Sequence, residues 1–209
     1  MKKKYDALIF DLDGTLWYAC EPIAKGWNET FAHFGIDVEV NAQHIESVAG
    51  HPFHKCVEAL LPKLDLTQYP DFVEKLGFYE RRHMEKEGGR LYPQVKETLE
   101  KLKKDYELFI VSNCSSWYLE MFLQVPEVRK LFKDWDCYGL SSISKSEMIK
   151  AMIKKHGPKK PVYIGDTVGD ERAANEALVP FIHASYGYGK PLGIPVSILS
   201  RFSDLINIV

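Results

Sequence analysis

No Cys-x-x-Cys pair occurs in the sequence. Its four cysteines, Cys20, Cys56, Cys114 and Cys137, stand far apart, which argues against a zinc site or a dithiol redox motif. Scattered single thiols suit a reducing compartment. No apolar run approaches the length of a membrane span. The short apolar stretch after Met1-Lys2-Lys3-Lys4 soon meets Asp11, too early for the apolar region of a signal peptide. A cytoplasmic chain with no membrane partner is expected. Neither sign of charge dominates: 27 Lys and Arg face 29 Asp and Glu, a net charge of -2. No global field draws in nucleic acid, so no nucleic-acid partner is expected, and an anionic substrate would need local groups to hold it. Low-complexity tracts and internal repeats are missing as well. The 209 residues, 45% of them hydrophobic, suffice for one large domain or a core with an insertion, working as a monomer or homodimer.

What is present centres on Asp11-Leu12-Asp13-Gly14-Thr15. The apolar run Ala7-Leu8-Ile9-Phe10 before it reads as a buried strand bounded by a turn signal. Both aspartates then sit at the strand's carboxyl end, where open parallel sheets hold their ligands. Asp11 and Asp13 start on one side of an extended segment. Two carboxylates that close need a hard cation or a shared proton. Gly14 permits a sharp turn and a close backbone approach to a ligand. A plain Asx turn accounts for the same residues on their own.

After Thr15 the pattern turns helical. Trp27, Phe31 and Phe34 recur at helical spacing, with Gly35 as the stop. Gln43 to Ala49 and Phe53 to Leu61 read as shorter helices around Gly50-His51-Pro52. Asp71 to Glu87 reads as a longer helix through Phe72, Leu76 and Tyr79, closed by Gly88-Gly89. Residues 17–90 therefore read as all-helical, without a strand of their own. From residue 91 strand and helix alternate. Helix Gln94 to Lys104 precedes strand Leu108 to Val111, and helix Ser116 to Leu123 precedes a short strand at Cys137 to Leu140. Helix Lys145 to His156, strand Val162 to Ile164, helix Glu171 to Ala177, strand Val179 to His183 and a closing helix, Phe202 to Ile208, follow. Alternation implies a parallel sheet with helices on both faces. The expected fold is α/β: a Rossmann-like three-layer core of residues 1–16 and 91–209, with residues 17–90 inserted as a helical cap over the ligand crevice.

Three strands end in polar groups: Asp11 and Asp13, Ser112 and Asn113, Asp166 and Asp170. A parallel sheet gathers these ends at one edge. Four carboxylates there point to a hard divalent cation, most simply magnesium. Ser144-Lys145-Ser146-Glu147 has the form of a capping box, which places Lys145 at the first position of its helix. A lysine there opposes the helix dipole at a cost of about 0.3–1 kcal/mol, which a bound anion would offset.

Asp11-Leu12-Asp13-Gly14-Thr15, Val111-Ser112-Asn113, Lys145 and Gly165-Asp166-Thr167-Val168-Gly169-Asp170 occur in the order and rough spacing of the four motifs of the haloacid dehalogenase superfamily. The resemblance spans nearly the whole chain. Leu91-Tyr92-Pro93, Gly50-His51-Pro52 and Gly187-Tyr188-Gly189 are similar to segments of phosphoglycolate phosphatase-like members. The resemblance implies a magnesium-dependent phosphatase acting on a small phosphorylated metabolite. It makes Asp11 the nucleophile that becomes an aspartyl phosphate, and Asp13 the general acid and then base. Ser112 and Lys145 would bind the transferring phosphoryl group. The metal set would be the Asp11 and Asp166 carboxylates, the Asp13 carbonyl and Asp170. Gly14, Thr15 and Asn113 become candidates for holding substrate, and His51 for the cap's specificity loop.

Trp17 and Tyr18 stand where such members often carry a small or acidic residue. Either they pack against the cap or they line a narrowed, aromatic substrate pocket. A phosphomutase of the β-phosphoglucomutase kind shares the core motifs. A signalling receiver domain also gathers Asp, Ser or Thr and Lys around magnesium, but the nucleophile on the first strand and the long helical insertion argue against it.

Overall fold

The computed structural model describes residues 3–209; Met1 and Lys2 of the basic start lie outside the described residues. Strand β1 (Ala7–Phe10) is followed by a tight turn and the short β2 (Trp17–Tyr18). Four helices come next: α1 (Cys20–Phe34), α2 (Ala42–Glu46), α3 (Phe53–Leu60) and α4 (Phe72–Glu87). The short β3 (Arg90–Leu91) leads into α5 (Val95–Leu102), β4 (Glu107–Ser112) and α6 (Ser116–Leu123). Then follow β5 (Asp134–Cys137), α7 (Tyr138–Ser141), α8 (Lys145–His156), β6 (Pro161–Gly165) and α9 (Val168–Glu176). Strands β7 (Phe181–Ala184) and β8 (Ser197–Leu199) and a 3-10 turn at Phe202–Asn207 close the chain.

Six strands form one sheet in the order β5-β4-β1-β6-β7-β8, and every pairing is parallel. β1 lies in the middle, completely buried on both faces, which is why Ala7-Leu8-Ile9-Phe10 is uniformly apolar. The chain builds outward from β1 first on one side and then on the other. The crevice at its carboxyl end is therefore the topological switch point, where such sheets bind ligands. One face packs Leu8, Phe10, Ile110 and Ile164 against Leu99, Phe122 and Phe202. The other packs Ile9, Phe109, Val111 and Tyr163 against Met148, Ile149 and Ala174.

Helices α1–α4 keep a hydrophobic cluster of their own around Trp27, Phe31, Phe72 and Leu76. Helices α1 and α4 pack tightly at Gly26, where a Cβ would meet the Glu80 backbone nitrogen at 2.7 Å. Among the described residues no helix is long and apolar enough to cross a membrane.

Several sequence expectations need correction. The segment 17–90 is not free of strand: Trp17 and Tyr18 pair antiparallel with Leu91 and Arg90, tying both ends of the helical insertion together. The strand expected at Cys137 to Leu140 ends at Cys137, and Tyr138–Ser141 is helical. Asp134 and Asp136 alternate with Trp135 and Cys137 on an edge strand, so no continuous apolar run marks it. The helix expected over Gln43 to Ala49 stops at Glu46. β8 had no counterpart in the sequence reading, and the closing helix is a 3-10 segment.

Candidate active site

Asp11 follows β1 directly, and its N–H donates to the Ile164 carbonyl at 2.8 Å. That bond extends the ladder by one residue and fixes the carboxylate at the sheet edge. Three further N–H groups, of Thr15, Leu16 and Trp17, converge on the Leu12 carbonyl. They wind residues 12–17 into a compact loop that reverses the chain. Gly14 adopts φ +73° within it, and a Cβ there would strike the Asp166 carboxyl group. Glycine is required on both counts.

Asp166 is clamped from three sides. Thr15 Oγ1 donates to its Oδ1 at 3.2 Å, and the Tyr188 N–H donates to Oδ2 at 2.8 Å. Gly187 lies so close that a Cβ would collide with the Asp166 side chain. Thr15, expected to hold substrate, thus holds a carboxylate instead. His183, buried beneath, sits 3.2 Å from the Asp166 carbonyl and 3.3 Å from that of Gly189.

Lys145 enters from the first turn of α8, whose capping box between Ser144 and Glu147 forms as the spacing predicts. Its Nζ lies 2.9 Å from Asp11 Oδ1 and 2.7 Å from Asp170 Oδ1. Only 5% of Lys145 is exposed. Burial works against its charge, yet Asp11 and Asp170 more than offset that and raise its pKa. Asp170 is engaged at both oxygens. Oδ1 also takes a bond from Tyr163 Oη, and Oδ2 takes bonds from the Thr167 N–H and hydroxyl. Burial alone would raise its pKa; Lys145 and Thr167 hold it below the usual carboxylate value.

The other acids move upward. Burial, reinforced by Asp170, lifts Asp11 to about 6. Burial, Asp170 and Asp11 push Asp166 well above its ordinary range. Burial lifts Asp13 to about 7, against a hydrogen bond from Tyr118 Oη of 2.5 Å. Carboxylate oxygens of Asp11, Asp166 and Asp170 all lie within 4.8 Å of one another. Asp11 Oδ2 is buried with no hydrogen-bond partner. An all-oxygen donor set with an orphaned carboxylate oxygen fits a hard divalent cation. Asp13 offers no side-chain ligand to that group; it lines the adjoining cavity instead.

That cavity, about 110 Å³, lies between the sheet edge and the helical insertion. His51, on the loop before α3, and Asn113 both line it. Asn113 Nδ2 donates to the Gly50 carbonyl at 2.8 Å, so the residue after β4 grips the loop of the insertion. Ser112 ends β4, buried. Trp17 takes no part. It is buried with its ring 5.4 Å from Phe122, edge on, and Gly89 leaves room for it. It packs into the core against Phe122 of α6 rather than against the cap, and it does not line the cavity. Sequence reasoning missed Tyr118, Tyr163, His183 and Glu80. Only Glu80 carried a signal, an acid in the i, i+4 stripe Phe72-Leu76-Glu80-Met84.

A switch-point crevice holding buried carboxylates and one lysine stands at the edge of a Rossmann-like core. The chain belongs to the haloacid dehalogenase-like hydrolase family, whose model matches residues 8–184. It is an enzyme, and its relatives are phosphatases. It is 28% identical over 210 residues to the phosphoglycolate phosphatase of Aquifex aeolicus, covering 97% of this chain and 95% of that protein. It is 26% identical to that of Mannheimia succiniciproducens over the full length of both. Among solved structures it resembles a predicted phosphoglycolate phosphatase from Haemophilus somnus 129pt, with TM-score 0.86 and 24% identity, covering 100% of this chain and 99% of that one.

Proposed function

We propose that this chain is a magnesium-dependent phosphatase that hydrolyses a small phosphorylated metabolite through an aspartyl phosphate on Asp11. The observation that carries the reading is the environment of Asp11. One oxygen is held by Lys145 while the other is buried and unpartnered, and the carboxylate clusters with those of Asp166 and Asp170. The phosphoglycolate phosphatases among its relatives support the reaction class.

Asp11 Oδ attacks phosphorus as the bond to the ester oxygen breaks. Asp13, raised to about 7 by burial, gives its proton to the leaving oxygen. The Asp13 carboxylate then takes a proton from water. That water's oxygen attacks phosphorus, releasing phosphate and the Asp11 carboxylate. Lys145 neutralises charge between nucleophile and phosphoryl oxygens, and Ser112 at the end of β4 donates to the same oxygens. Such positioning and electrostatics are most of what phosphoryl transfer requires. Asp11 and Asp166 would hold the cation with the Asp13 carbonyl, and Asp170 supports the set by fixing Lys145. Magnesium supplies electrostatic shielding of the phosphoryl oxygens when bound. Residues 17–90 act as a lid over the crevice, latched by Asn113 to Gly50.

The test is hydrolysis of p-nitrophenyl phosphate. Asp11→Asn should abolish it with the fold intact, and EDTA should silence the wild type until magnesium is restored. Undiminished turnover by the variant overturns the assignment.

A further inference from the structure

The cavity beside Asp13 has an unusual lining for a site meant to receive an anion. Among the described residues that wall it there is no lysine or arginine. His51 is the one lining side chain able to carry positive charge, and it is exposed, where water screens it. Phe53, Trp117 and Tyr118 supply aromatic surface. Two acidic residues line it, Asp13 at the sheet edge and Glu80 on α4.

Glu80 is the informative one. Only 6% of it is exposed. Trp27 Nε1 donates to its Oε1 at 2.6 Å, and the close approach at Gly26 brings α1 against its backbone. Its second oxygen, Oε2, has no partner among the described residues and is not sealed off as a buried orphan. Glu80 lines the cavity, and Oε2 is the oxygen that Trp27 leaves free to take a second donor. Trp27 needs only a neutral acceptor, which glutamine would supply. A carboxyl group in the apolar stripe of a packed helix costs stability unless something answers its charge. Burial lifts it to about 8, and a cation placed beside it would draw out its ionised form.

We propose that this cavity takes phosphate monoesters whose alcohol carries an ammonium group rather than a carboxylate, with Glu80 receiving the positive charge. The inference rests on the phosphatase reading above and narrows its substrate class. A carboxylate-bearing alcohol such as glycolate would find no lysine or arginine in this lining to hold it. An ammonium group answers Glu80, and the rings of Phe53, Trp117 and Tyr118 favour a cation over their faces. The cavity's size restricts the alcohol to a few heavy atoms. Asp13 still meets the ester oxygen, and the cation lies at the remote end, where binding energy helps to orient the phosphoryl group.

The experiment has two arms. In the first, kcat/KM is measured with magnesium for ethanolamine phosphate, glycerol phosphate and 2-phosphoglycolate, on wild type and Glu80→Gln. Wild type should prefer ethanolamine phosphate to 2-phosphoglycolate by at least about tenfold. The variant should lose about tenfold or more in the ratio of ethanolamine phosphate to glycerol phosphate, the loss expected on removing a partly buried charge pair. In the second arm the same three esters are titrated calorimetrically into Asp11→Asn, with and without Glu80→Gln, so that affinity is read without turnover. The same order of preference, lost with Glu80→Gln, is expected. A wild type that prefers 2-phosphoglycolate, or a Glu80→Gln change that leaves the ratios unaltered, overturns the inference. Failure of wild type to hydrolyse p-nitrophenyl phosphate overturns the phosphatase reading instead, and the binding arm still decides the role of Glu80.

Discussion

Replacing Lys145 by methionine removes the ammonium group paired with Asp11 and Asp170 while nearly keeping the side chain's volume. Both partners are buried, and Nζ lies within 2.9 Å of each. Breaking a buried ion pair from one side costs about 3–5 kcal/mol, because the charge left behind is neither solvated nor matched. Two carboxylates are stranded here, so the upper half of that range is expected at neutral pH without metal. That is about a thousandfold in the folding equilibrium, since 1.4 kcal/mol is about tenfold.

The cost has a definite pH dependence. Asp170 is held below its ordinary 3.8 with the help of Lys145; a depressed acid contributes stability above pH 3.8 that is lost as pH falls through its folded value. The variant forfeits that contribution. Asp11 already stands at about 6; a raised acid costs stability once pH exceeds 3.8, and the cost grows until pH passes the folded value. Without Lys145 that window extends upward. The Asp170 effect is already present near about pH 4, and the Asp11 effect adds to it as pH rises, so the gap between wild type and variant should be appreciable near about pH 4 and largest above about pH 7. Urea unfolding in EDTA at the two pH values measures it, and magnesium should narrow it by replacing the lost charge. A gap under about 1 kcal/mol at both pH values, the size of a surface pair, would refute the buried-network account.

The remaining expectations are shorter. Asp13→Asn should slow hydrolysis of esters with poor leaving groups by about 10²–10⁴-fold, and p-nitrophenyl phosphate less in the first step; single-turnover rates showing equal losses would rule out an acid role. Gly14→Ala forces a left-handed backbone on a residue with a Cβ, about 1–2 kcal/mol, and displaces Asp166, so calorimetry should show weakened magnesium binding; unchanged affinity would detach Gly14 from that role. Asn113→Ala removes the bond to the Gly50 carbonyl, a loss of about 1 kcal/mol, and should speed amide exchange over residues 48–52; unaltered exchange would mean that Asn113 does not latch the loop.

What the sequence made legible was what the backbone pattern controls. Buried parallel strands are apolar throughout, so β1, β4 and β6 stood out, and the polar residues after each had to meet at one edge. The turn chemistry around Gly14 and the capping box before α8 were equally local. Residues whose position depends on a chain reversal were not legible. Trp17 lies two residues beyond Thr15 in sequence, yet the turn carries it into the core against Phe122. The Asp134–Cys137 strand lies on the sheet edge with partly exposed residues, and no hydrophobic run announces it. Tyr118 reaches Asp13 across 105 residues of chain, a contact that only the packing of α6 creates.

The two aspartates of the first loop differ for a physical reason. With no cation bound, the centre cannot keep its acids all ionised. Lys145 answers one charge, while Asp11, Asp13 and Asp166 are all pushed upward. Asp11 and Asp166 lie within reach of a shared cation, which would displace their protons on binding and leave Asp11 an ionised nucleophile. Asp13 stands outside that carboxylate cluster. One of its oxygens is occupied by Tyr118 Oη, and the residue lines the cavity. The same cation therefore does less to strip its proton than to strip those of Asp11 and Asp166. Environments that drive two like groups apart are how one site obtains an acid and a nucleophile from the same residue type. In the proposed mechanism the division of labour between Asp11 and Asp13 would follow from where the loop turns at Gly14: one carboxylate stays with the sheet edge and Lys145, and the other lies outside the carboxylate cluster, by the cavity.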